Sequence, residues 1–126
     1  MRNLYHLAIE ATLEIVSGKW ALLILCHLGE GTLRTSELRR WMPTISQRML
    51  TLNLRELEKA GIIHRKVYNE VPPRVEYSLT ERGYSLRYIL EQMSDWGTNL
   101  IEERRKAGEN IEILAPDDKG FRTKGL

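Results

Sequence analysis

Four side chains within nine positions carry the clearest chemical message. Gln47 and Arg48 are adjacent, and Thr51 and Arg55 follow them at three, four, seven and eight residues, so a helix drawn through them carries all four on one side. Arg and Gln present paired hydrogen-bonding groups that match the edges of guanine and adenine, and Thr reaches a thymine methyl or a phosphate. That combination suits the reading of base edges in a DNA major groove. An ordinary solvated helix face holds the same residue types, and Arg55 can equally pair with Glu58 one turn on. Leu52 is the apolar member of the group. A thymine methyl, the underside of a neighbouring element and plain solvent are all open to it.

Catalysis has less to work with. His6, His27 and His64 have no Asp, Glu or His at metal-ligand spacing, and the chain has neither a glycine-rich phosphate loop nor a Ser or Cys nucleophile pattern. A single cysteine, Cys26, excludes an internal disulfide framework and sits in an apolar run where its thiol is a small buried hydrophobe. The expectation is a protein that is not an enzyme, with no metal and no cofactor. At 126 residues, 42% apolar and 29% charged, the chain has the makings of one folded core. No run approaches the roughly 20 apolar residues of a membrane span, and the start lacks a signal-peptide pattern. These features predict a cytoplasmic protein with no membrane contact.

Charge is distributed unevenly. The formal net charge is +2, but Arg34 to Arg87 holds 11 Lys and Arg against 6 Asp and Glu, a local +5, which leaves the remainder at −3. A basic middle between near-neutral or acidic flanks is the electrostatic footprint of a nucleic-acid reader.

The elements that must position these residues can be read from periodicity. Ile9, Leu13 and Val16 mark a short one-sided helix, interrupted at Ser17-Gly18. Trp20 to Leu28 is apolar nearly all round, as expected of a central buried helix, and Gly29-Glu-Gly31 ends it. Leu33, Arg34 and Thr35 suggest a very short strand, after which Ser36 can cap a helix from Glu37 to Met42, stopped by Pro43. Ser46 can cap the next helix, which runs to Ala60 with Gly61 beyond it. Its inward side is Leu50, Asn53, Leu54 and Leu57; Arg48, Thr51, Leu52, Arg55 and Lys59 face away. Two helices joined by a tight turn form a helix-turn-helix.

Two strands follow, Ile62 to Tyr68 and Val75 to Leu79, joined by a loop that holds Pro72 and Pro73. The predicted fold is mainly α with a small antiparallel β-wing, an α+β winged helix-turn-helix. Arg74 at the wing tip is the stronger candidate for a phosphate contact; Arg65 and Lys66 alternate along their strand and cannot both face DNA. Thr80 caps a long last helix with Leu86, Ile89, Leu90, Met93, Trp96, Leu100 and Ile101 in one stripe and Gly108 as its stop. This stripe and the Ile9, Leu13, Val16 stripe exceed what one small domain can cover. N- and C-terminal dimerisation helices are therefore expected, with Ile9, Leu13, Val16, Leu86, Ile89, Leu90, Met93, Trp96 and Leu100 at the interface of a homodimer. Residues 1–108 form the domain; residues 109–126 form a polar tail, disordered or loosely docked through Ile111, Ile113 and Leu114.

Several of these segments together resemble one family. Gly18-Lys-Trp20, Ser36-Glu-Leu-Arg-Arg40, Ile45-Ser-Gln-Arg-Met-Leu-Thr51, Leu54-Arg-Glu-Leu57, Val71-Pro-Pro-Arg-Val-Glu-Tyr-Ser-Leu-Thr80 and Asp95-Trp-Gly97 resemble the HxlR-type bacterial winged helix transcriptional regulators. The resemblance spans about Ile9 to Trp96. It implies a homodimer joined through the first and last helices, the helix from Ser46 in the major groove and the hairpin near Arg74 against the backbone. Many members carry a Cys-Pro pair ahead of the Ile-Glu-Ala-Thr-Leu stretch, and in some that cysteine senses oxidants or electrophiles; here those positions are Leu7 and Ala8. Polar residues are common where this chain has Leu52.

The expected function is a dimeric, sequence-specific DNA-binding transcriptional regulator. Its partner is double-stranded DNA, with Ser46, Gln47, Arg48, Thr51 and Arg55 at the major groove, Arg74 on phosphate, and Ser36 and Arg39 adding backbone contacts. The alternative is a ligand-sensing or protein-adaptor winged helix protein that binds DNA weakly and holds a small-molecule effector between its first and last helices.

Overall fold

A helix that is apolar on nearly every side must be surrounded. In the computed structural model, which describes residues 1–113, the run through Leu28 lies in α2 (Lys19–Leu28), after α1 (Ile9–Val16). Then come β1 (Leu33–Arg34), α3 (Thr35–Trp41), α4 (Gln47–Lys59), β2 (Ile63–Tyr68), β3 (Arg74–Leu79) and α5 (Glu81–Lys106). Ile24, Leu25 and Leu28 of α2 are fully buried, in one cluster with Leu38 of α3, Leu50, Leu54 and Leu57 of α4, Tyr77 and Leu79 of β3, and Leu86 and Leu90 of α5. Cys26 belongs to that cluster and its thiol is buried. Where α2 nears its end, His27 stacks on Trp41 of α3 with ring centres 5.5 Å apart.

The three strands form one antiparallel sheet in the order β1-β3-β2. The wing hairpin thus has a third strand: Leu33 turns into the core and brings Arg34 alongside Glu76. This also moves the start of α3. Arg34 leaves the strand in an extended conformation at the N-cap position, and Glu37 Oε1 accepts a hydrogen bond from its backbone N–H at 2.9 Å. Ser36 is therefore inside the first turn and is not the cap, because a Glu at the third helical position covers the donor that an Asp or Ser cap would leave free. The expected cap of α4 is present: Ser46 Oγ accepts from Met49 N–H at 3.1 Å, and Gly61 follows at φ +76°, where a side chain is strained.

The expected single stripe on the last helix divides in two. Gly83, Leu86 and Leu90 face the core, and no residue of α5 after Leu90 is buried. Ile89, Met93, Trp96 and Leu100, one residue out of phase, lie on an exposed face; Trp96 is 70% exposed. Val16 of α1 is likewise buried, while Ile9 and Leu13 are exposed. Val16, Leu86 and Leu90 are packed into the core cluster of their own chain, each 7% exposed or less. Past α5, Gly108 adopts φ +98°, Arg104 pairs with Glu109 at 2.9 Å, and Arg105 donates to the Ile111 carbonyl at 2.7 Å. The Arg104 guanidinium holds the Glu109 carboxyl below its ordinary range. The remainder of the expected tail, including Leu114 and Pro116 to Gly120, lies outside the described residues.

One junction orients α5 on the sheet and on α4. The Thr80 hydroxyl accepts from Gly83 N–H at 3.1 Å and donates to the Gly61 carbonyl at 2.6 Å, while Thr80 N–H donates to the Ile62 carbonyl at 3.0 Å. The first turn of α5 then lies so close to the chain that a β-carbon on Gly83 would overlap the Ile62 carbonyl oxygen and crowd Leu79. Backbone cannot step aside as a long side chain can. Gly83→Ala is expected to lower the unfolding free energy by about 1–3 kcal/mol, read from the urea midpoint.

Candidate nucleic-acid interface

The inner side of α4 is fixed by Leu50, Leu54 and Leu57, which leaves the other side to solvent. Toward the wing, Gln47, Thr51, Arg55 and Glu58 line a cleft of about 380 Å³ whose far wall is Arg65, Val75 and Tyr77. On the outer side, Gln47, Arg48, Thr51, Leu52 and Arg55 surround a shallow depression. The four residues singled out by spacing are thus brought together on one exposed face. Gln47 Nε2 donates to Thr51 Oγ1 at 3.3 Å, and Arg39 of α3 donates to Gln47 Oε1 at 3.4 Å and to the Ile45 carbonyl at 3.5 Å. Arg39 therefore spans the turn between the two helices and engages its own chain. Ser46 uses its hydroxyl as the cap acceptor, and Ser36 lines a depression between the start of α3 and the wing loop.

The wing corrects one expectation. Arg74 is not at the tip; it is the first residue of β3, paired in register with Tyr68, and Asn69–Pro73 form the tip. Its guanidinium lies 3.8 Å from the Tyr68 ring centre, 3.3 Å from Glu70 and 4.0 Å from Glu76, with 27% of the side chain exposed. Two carboxylates and an aromatic face compensate its charge, so it clasps the base of the loop. The sequence pattern could not supply this, because the three partners come together only through strand pairing.

Arg65 presents the reverse case. It alternates with Lys66 as expected, but it is Arg65 that enters the α4 cleft, while Lys66 lies 4.8 Å over the Tyr68 ring. The signal was available in the spacing: Arg65 follows the core residue Ile63 by two positions and so shares its face of the strand. No ion pair among the described residues involves Arg48, Arg55 or Arg65. Three cations outside any such ion pair, on and beside α4 and next to amide and hydroxyl groups, suit a polyanion whose surface also bears hydrogen-bonding edges.

Residues 15–105 match the family model described as HxlR-like helix-turn-helix. The chain belongs to that family. It is a DNA-binding transcriptional regulator with a winged helix-turn-helix fold. This HxlR-like regulator is 54% identical over 110 residues to YtcD of Bacillus subtilis, an HTH-type transcriptional regulator, with 87% of this chain and 86% of that protein covered. An HTH-type regulator of Methanothermobacter thermautotrophicus is 49% identical over 105 residues, 83% of this chain and 80% of that one. Among solved structures, that of ytcD has a TM-score of 0.73 at 56% identity and covers 76% of this chain and 98% of its own. The redox regulator HypR in its oxidized form has a TM-score of 0.69 at 46% identity, with coverage of 83% and 100%.

A pocket of about 370 Å³ opens between α1, α2 and the inner edge of α4, lined by Glu14, Ile15, Ala21, Asn53, Glu56 and Leu57 among others. Arg2 pairs with Glu14 at 2.7 Å beside it, and this holds the Glu14 carboxyl below its ordinary range. For the wing, Arg74→Ala is expected to speed amide hydrogen exchange through the loop from Tyr68 to Val75. Global stability should fall by no more than about 1 kcal/mol, the scale of one partly exposed cation–π contact and its ion pairs. Unchanged exchange would show that the clasp does not order the wing.

Proposed function

We propose that this regulator binds operator DNA as a homodimer, each chain laying α4 in a major groove and resting its wing on the sugar-phosphate backbone. The observation that carries this reading is the outer face of α4, where Arg48 and Arg55 have no ion-pair partner among the described residues and stand beside Gln47 and Thr51. In free protein such a face gains nothing from its charge; against base edges and phosphates it does. Arg48 and Gln47 read bases, Thr51 and Arg55 flank them, and the capped N-terminus at Ser46 approaches a phosphate. Ser36 lies close enough to the wing loop to add a backbone contact. Arg65 takes the phosphate role in the cleft, and Arg74 contributes through the shape of the wing. The regulator acts in the cytoplasm, without catalysis or a cofactor.

Dimerisation through α1 and α5 is supported by the exposed stripe of Ile89, Met93, Trp96 and Leu100, together with Ile9 and Leu13. Beyond Leu90 the helix runs 16 more residues with none buried. A lone helix of that length is marginal in water, and an apolar stripe along it calls for a second helix. A small-molecule effector remains compatible with this reading; the inner edge of α4 at Asn53, Glu56 and Leu57 adjoins the pocket described above.

Selection of bound sequences from a random duplex library, at near-physiological salt and with the full chain, tests the reading. A two-fold symmetric motif with half-sites about one helical turn apart is expected, from protein with twice the mass of one chain. A well-folded protein that enriches nothing would overturn it. On the selected site, Arg48→Ala should lose about 1–3 kcal/mol of discrimination at one base position. Arg65→Ala should weaken all duplexes alike and reduce the salt slope by about 0.9 per half-site. Identical effects of the two changes would remove this division of roles.

A further inference from the structure

One side chain on the outer ridge of α4 has no use in the reading above. Leu52 is 49% exposed, and it belongs neither to the core cluster nor to the lining of the cleft beneath the wing. Of the three fates open to it from sequence, packing under a neighbouring element is therefore gone. It stands in the shallow depression between Arg48 and Arg55, four residues after the first and three before the second. Along the helix axis that is about 6 Å from Arg48 and about 4.5 Å from Arg55. The residue thus sits in the middle of the face, with a guanidinium on either side.

We propose that Leu52 is a specificity-determining residue that packs on the C5-methyl group of a thymine in each operator half-site. The proposal rests on α4 entering the major groove. The floor of that groove shows hydrogen-bond donors and acceptors at every base, and only one apolar group, the thymine methyl. Leu52 can neither donate nor accept. Against guanine, adenine or cytosine it would take water from a polar edge and return no hydrogen bond, which is unfavourable. Against the methyl it removes apolar surface from water on both sides. The flanking arginines fix the register, so the leucine meets the same base step each time the protein binds. Discrimination then has two parts, attraction to one methyl and rejection of the other three bases.

Deoxyuridine differs from thymidine by that methyl alone, which makes the test direct. Each thymine of the operator obtained by selection is replaced in turn by deoxyuridine, and binding of the full chain is followed by fluorescence anisotropy. One thymine per half-site should stand out, with affinity about fourfold weaker when it is replaced once and about sixteenfold weaker when both half-sites are changed. Leu52→Ala should make binding indifferent to replacement of that thymine. Leu52→Asn, which keeps the length and branching of the side chain, should be indifferent as well and favour adenine over thymine there. Position 52 is exposed on a helix, and circular dichroism checks that the variants fold. A wild-type protein that ignores every deoxyuridine, or a Leu52→Ala protein that still loses affinity at the same thymine, would overturn the proposal. Failure to select any operator is a different result: it would remove the placement of α4 in DNA, and this proposal with it.

Discussion

The face that α4 presents depends on how closely the chain can be drawn together behind it, at the point where α4 ends, β2 begins and α5 departs. Gly61 reverses the chain, Ile62 sends its carbonyl toward Thr80, and the missing side chain of Gly83 lets the first turn of α5 lie directly against that carbonyl. The first turn of α5 meets the start of the β2 segment backbone to backbone, with the Leu79 side chain alongside. The tilt of α5 relative to α4 is set by backbone contact, which has far fewer alternative arrangements than packing through long side chains. The Thr80 hydroxyl ties the same point together from both sides, as an acceptor for α5 and a donor to the end of α4.

With its inner leucines held against α2, α4 has a fixed rotation about its own axis, and the identity of its outer residues becomes chemically meaningful. The charges around it are sorted. Arg74 is consumed by Glu70, Glu76 and Tyr68, and Arg39 bridges to Gln47 and the Ile45 carbonyl. Arg48, Arg55 and Arg65 are left unmatched by any carboxylate among the described residues. The net charge of the chain is small, so attraction to a polyanion comes from this local sorting rather than from an overall excess.

Much of this was legible in the sequence because it depends on short-range rules. Ser46 and Gly61 bracket α4, Thr80 starts α5, and the alternation of Arg65 with Lys66 follows from strand geometry. What escaped depends on contacts distant in sequence. Ser36 looks like a cap until β1 pairs with β3 and moves the helix start to Thr35. Arg74 looks free until strand register sets it over Tyr68. On α5, Leu86 and Leu90 differ from Ile89, Met93 and Trp96 by one residue of phase, and hydrophobicity alone does not say which of two adjoining apolar faces meets its own core.

The length of α5 past its last buried residue gives it the mechanics of a lever. From Leu90 to Lys106 the helix runs about 24 Å past its last buried residue. In the homodimer proposed above, a change of about 8° in the angle between arm and body would move the body by about 3.4 Å, the rise of one base pair along the duplex. The ruler that sets the spacing of two reading heads would then be this helix, and its zero would be the glycine at its root.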